Sequence, residues 1–166
     1  MKRFMLVSIV LFTVVSIVAA NPPAEKGGLD KLKALVGTWK GTDPGGKPIT
    51  VSYKLVSADN SLMETLDTGE QEGSMVTIYH SDNDKVMMTH YCSLGNQPRM
   101  RLDRSSKDEN KLVFKFVDAT NLKTKDDAHM HKLTFTFKDA DHFSQEWVLL
   151  AKGKENPVVM TFERVK

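Results

Sequence analysis

The sequence predicts an all-β protein: an antiparallel up-and-down β-barrel of about ten strands, preceded by a short N-terminal helix. Two observations carry this. From Gly37 onward, apolar and polar residues alternate in short runs, the period of a strand with one buried face. The breaks between runs are turn chemistry: "DPGGKP", "ADNS", "TGEQEG", "SDND", "SLGNQP", "SSKDEN", "KDAD" and "GKENP". No helical pattern separates the runs, so successive strands pair antiparallel rather than through the crossovers a parallel sheet requires. A sheet of that many strands hides its edges by closing on itself, with a two-sheet sandwich as the alternative.

The elements follow in chain order. Residues 1–20, "MKRFMLVSIVLFTVVSIVAA", have a basic start at Lys2 and Arg3, a long apolar run, and the small residues Val18 and Ala20. This is the pattern of a secretory signal peptide cleaved after Ala20, and it places the mature protein in the periplasm or outside the cell. A retained anchor is the alternative. No cysteine follows the run to carry a lipid, and no second apolar segment is long enough to span a membrane. Residues 21–28 form a polar leader, and residues 29–166 form one barrel domain. Leu29, Leu32 and Leu35 recur at helical spacing with Asp30 near the start, which predicts a helix over 29–35. Strands are predicted at 37–42, 48–57, 61–68, 73–80, 85–93, 98–105, 111–118, 129–138, 142–150 and 157–165.

Charge and cysteine content narrow the function classes. Removing residues 1–20 takes away Lys2 and Arg3 and no acidic residue, which leaves 21 Lys+Arg against 21 Asp+Glu. A neutral chain without a basic run is poorly matched to nucleic acid. Cys92 is the one cysteine, so no internal disulfide can form and the domain depends on its core.

"LVGTWKGT", residues 35–42, resembles the Gly-x-Trp opening of the calycins: the lipocalins, fatty-acid-binding proteins and nitrobindin-like barrels. In those families a short helix precedes the first strand, and the tryptophan packs at the closed end under an arginine of the last strand. The resemblance implies that Trp39 and Arg164, the latter in "MTFERVK", seal the base of this barrel. Ten runs match the ten-stranded members better than the eight-stranded lipocalins. "HYCSLGNQPRM" and "HMHKLTFTFKDADHFSQEW" resemble segments of uncharacterised exported bacterial proteins, and that likeness brings no function with it. The haem-ligating histidine that nitrobindins carry near the C-terminus has no counterpart here, which ranks haem below other ligands.

Strand direction sorts the five histidines. If the first strand starts at the bottom, the fifth ends at the top and the eighth begins there. His90 and Cys92, in "KVMMTHYCS", then lie at the same end as His129 and His131. Residues two apart share a face, so these four follow Met88, Leu133, Phe135 and Phe137 inward. His80 and His142 fall at the bottom, with His142 beside Phe137 and so about 20 Å from His131 at strand rise. The longest loop, 119–128, reaches over the same upper end, as a lid would.

Three readings fit this arrangement. In the first, the barrel holds a small apolar or amphipathic molecule against an inward row of Met88, Leu112, Phe114, Phe116, Leu133, Phe135 and Phe137, with the histidines at the mouth. In the second, His90, His129 and His131 bind zinc or copper. Two same-face imidazoles start about 6.6 Å apart at the backbone and can converge on one ion. Cys92 could add a thiolate, and Met88, Met100 and Met130 offer soft sulfur to cuprous ion. In the third, the histidines sit at a solvated rim or as satisfied core residues, and the barrel has no ligand. Catalysis by His90, Cys92 and a mouth carboxylate such as Asp118 can be drawn, but no oxyanion-hole, phosphate-loop or paired-carboxylate pattern accompanies it. Arg99 and Arg101 share the face opposite Met100 and Leu102. They point outward if that apolar pair points in; in the reverse register Arg99 would clamp an anionic ligand such as a fatty acid.

Overall fold

A computed structural model describes residues 27–69 and 73–166. The predicted signal segment and all but the end of the leader lie outside these residues. Helix α1 covers Gly28–Lys33. The strands are β1 Gly37–Thr42, β2 Pro48–Val56, β3 Ser61–Asp67, β4 Ser74–Asp82, β5 Lys85–Tyr91, β6 Gln97–Asp103, β7 Lys111–Thr120, β8 His129–Phe137, β9 His142–Ala151 and β10 Lys154–Arg164. Each strand pairs antiparallel with its sequence neighbours, and β1 pairs with both β2 and β10. The result is a closed ten-stranded up-and-down barrel, as the alternation predicts.

The largest boundary difference lies in β10, which starts at Lys154 rather than 157. Lys152 and Gly153 both take positive φ, 51° and 71°, and so make a two-residue hairpin turn that resumes pairing at once. Pro157 then falls inside the strand, opposite Val148. It is tolerated because β1 pairs only with Thr161–Arg164 of β10, leaving the upper half of β10 bonded on one side alone. Above Thr42 the wall between β1 and β10 is therefore unzipped.

The base is sealed. Leu29, Leu32 and Leu35 bury the apolar face of α1 and its exit against the barrel. Trp39 Nε1 donates to the Leu35 carbonyl at 2.7 Å. The Arg164 guanidinium lies 4.1 Å from the centre of the Trp39 ring. It also donates to the carbonyls of Ala34 (2.9 Å), Val36 (3.0 Å) and Ala140 (3.3 Å), which are the helix exit and the β8–β9 turn. Gly41 lets the seam close: a Cβ there would sit 2.0 Å from the backbone oxygen of Thr161 across the ladder. Above this seal the lower lumen is filled. Phe143 meets the rings of Trp39, Phe162 and Phe135, and Tyr79, Phe114 and Phe135 meet edge to face.

Candidate functional site

Midway up the barrel the packing turns polar. Alternation in "LMETL" puts Glu64 on the face of Leu62 and Leu66, and alternation in "HFSQEW" puts Gln145 with Phe143 and Trp147; all six are buried. The Tyr79 hydroxyl donates to Glu64 Oε2 at 2.8 Å. Gln145 Nε2 donates to the same oxygen at 3.0 Å and to the Tyr53 hydroxyl at 2.8 Å. Trp147 Nε1 in turn donates to Gln145 Oε1 at 3.1 Å. Glu64 Oε1 is buried without a partner. Burial lifts the Glu64 carboxyl to about 7 against the pull of these donors. Burial, and then the charge of Glu64, hold the Tyr79 and Tyr53 hydroxyls well above the usual phenol range.

Over this network lies a cavity of about 590 Å³. Its walls are mostly apolar: Ile49, Leu66, Met75, Met130, Trp147 and Met160. Asp43, Pro44 and Lys47 of the β1–β2 turn and Val158 of β10 border it, which places its opening at the unzipped part of the β1–β10 wall. At ~30 Å³ per water-sized group, the volume holds roughly 20 such groups. That suits a molecule of drug or short-lipid size.

His90 is the titratable residue of the inner wall. Its ring is 2% exposed and sits 4.5 Å from Trp147, centre to centre. Nδ1 shares a 2.9 Å hydrogen bond with the Thr77 hydroxyl, and Nε2 is buried without a partner. Burial lowers its pKa to about 4, so the ring is neutral at ordinary pH. Thr68, at the end of β3, is a second wall residue with a buried, unpartnered oxygen.

The other predicted residues separate. Asn96, in the β5–β6 turn, donates to the Ala128 carbonyl at 2.9 Å, so His90, Cys92, His129 and His131 do share one end of the barrel. They do not share one cluster. A bulge between Met130 and Lys132 breaks the alternation of β8. Met130, opposite Leu149, reaches the cavity wall, whereas the His129 and His131 rings lie 5.7 Å apart, centre to centre, and both pack on Phe116, at 4.5 Å and 5.2 Å. His129 Nδ1 donates to the Asp127 carbonyl at 2.8 Å; its Nε2 and His131 Nδ1 are buried without partners. Among the described residues, no three His, Cys, Asp or Glu side chains are grouped to hold a metal. Met88, Phe114 and Phe135 are fully buried packing in the filled part of the lumen, and Cys92 lies in the same buried core.

Arg99 takes the outward register. Met100 and Leu102 are buried, and the half-exposed Arg99 pairs with Asp118 on the outer surface at 2.6 Å. It is therefore no clamp inside the barrel, and Asp118 is no mouth base. Sequence analysis did not single out Glu64, Gln145, Tyr53 or Trp147; the signal that could have found Glu64 and Gln145 was a polar residue at an inward position of an apolar row.

No family model and no curated protein matches the chain. Among solved structures, a redesigned β-barrel is similar at 10% identity and a TM-score of 0.40, over 84% of this chain and 99% of that one. A protein of unknown function of the DUF3598 family from Nostoc punctiforme is similar at 16% identity and a TM-score of 0.46. That match covers 89% of this chain and 53% of the other. The barrel assignment rests on the unbroken ring of strand pairings.

Proposed function

We propose that this protein is an exported, calycin-like barrel that binds one small apolar or amphipathic molecule in its upper lumen. The observation that carries the reading is the cavity of about 590 Å³, walled by apolar side chains and reached where β1 and β10 separate. A fully packed barrel interior leaves few voids larger than a water molecule. The space is a half-open pocket above the packed core, where Phe114, Phe135 and Phe143 fill the lumen below it. The seal of Trp39 and Arg164 supports the calycin likeness, and the apolar run of residues 1–20 supports export.

Zinc or copper binding by the mouth histidines is the second reading. It is supported by the unpartnered nitrogens of His129 and His131, whose rings lie 5.7 Å apart, centre to centre.

The test of the first reading is a fluorescence titration with the neutral probe N-phenyl-1-naphthylamine. Saturable binding of one probe per chain is expected. Leu66→Trp, which fills the cavity from β3, should weaken it at least tenfold. Absent or non-saturable binding, or binding indifferent to the blocking residue, contradicts the reading. Elemental analysis of the same protein purified without chelators tests the second, and about one zinc or copper per chain that His129→Ala and His131→Ala together remove would support it.

A further inference from the structure

We propose that the cavity selects a neutral amphipath whose polar end is a hydroxyl, and discriminates against the carboxylate of the same chain length. This rests on the pocket reading above and adds the chemical class of the ligand.

The charges around the cavity give the first argument. Its described wall carries two charged side chains, Asp43 and Lys47, one of each sign, both in the β1–β2 turn at the opening. Two arginines that could hold an anion are engaged elsewhere: Arg99 pairs with Asp118 outside, and Arg164 is spent on Trp39, three carbonyls and Asp141 at the base. Under the cavity lies Glu64, a buried acid whose partners are Tyr79 and Gln145 with no cation among them. Any ionised fraction of Glu64 repels an anion above it, and the low local dielectric strengthens that repulsion. His90 does not offset it, because burial keeps the imidazole neutral.

The unsatisfied polar atoms give the second argument. His90 and Thr68 both line the cavity, and His90 Nε2 and Thr68 Oγ1, buried just behind its surface, have no hydrogen-bond partner. Both are neutral groups. A buried polar atom without a partner marks a place where a hydrogen bond is still to be made. A hydroxyl both donates and accepts, so it can meet His90 whichever ring nitrogen carries the proton. A carboxylate only accepts, and it would enter without a counter-charge.

The experiment uses the full chain and the bound N-phenyl-1-naphthylamine as reporter, with 1-decanol and decanoate as competitors at pH 8. Decanol is expected to displace the probe at a concentration at least tenfold below that of decanoate. Thr68→Val and His90→Phe should each weaken decanol at least threefold while the probe itself still binds; Thr68→Val covers the case in which His90→Phe does not fold. Decanoate equal to or better than decanol overturns the proposal, and loss of that binding in Lys47→Met would identify the rim lysine as the true anchor. Probe binding that neither competitor disturbs also overturns it and leaves the pocket reading standing. No probe binding at all overturns both.

Discussion

At the residue scale, Arg164 shows how one side chain can close a barrel. Its planar fork serves three carbonyls and the Asp141 carboxylate while its face covers Trp39, a combination an ammonium cannot reproduce. Arg164→Ala should cost about 2–4 kcal/mol in urea unfolding, from charged hydrogen bonds and a partly desolvated cation–π contact. Arg164→Lys should recover less than half of that; full recovery by lysine would reduce the role to charge. This contact was anticipated only through the resemblance of residues 35–42 to the calycin opening, which implied an arginine of the last strand over Trp39. The Glu64 network was not read from the sequence. Alternation places Glu64, Gln145 and Tyr53 indoors, but nothing in one strand says that the three meet across the lumen.

At the scale of the element, a register shift in β8 shapes the upper end, and a close approach in β1 shapes the seam. The β8 bulge lies beside Met130, which reaches the cavity, while His129 and His131 stay together on Phe116 and His90 packs on Trp147, so the predicted three-histidine cluster does not form among the described residues. A bulge is a property of a strand pair, and the sequence of β8 alone does not announce it. In β1 the controlling residue is Gly41, which lies against the Thr161 carbonyl. Gly41→Ala should prise β1 from β10 and cost about 3 kcal/mol or more, the upper end for overpacking because a backbone atom blocks relaxation. Hydrogen exchange should speed up first at Thr161–Arg164. Unchanged protection there would mean that the seam has room this structure does not show. Strand number and most boundaries were readable, since turn residues punctuate nearly every hairpin; β10 was misplaced because Pro157 suggests a strand's first residue when its open side makes it tolerable inside.

At the scale of the whole molecule, two buried titrations oppose each other. The folded state holds His90 near 4, below the ordinary 6.5, so its contribution is complete above about pH 6.5 and is lost as pH falls toward 4. The folded state holds Glu64 near 7, above 4.5, so its contribution is complete below about pH 4.5 and is lost as pH rises toward 7. Between pH 4.5 and 6.5 the two slopes cancel. Relative to the parent, Glu64→Gln should gain about 2–3 kcal/mol of stability across that window as pH rises, and His90→Asn should lose a similar amount. Difference curves that stay flat would show that neither group is buried as described.

The molecule is thus a barrel sealed at one end, filled to its middle, and open above a neutral histidine. The most direct measurement is the stoichiometric titration of the full chain with N-phenyl-1-naphthylamine, beside the Leu66→Trp variant. One saturable site per chain, weakened at least tenfold by the added indole, is the predicted result. A folded Leu66→Trp protein that binds the probe as well as the parent would place the ligand outside the barrel and contradict the account.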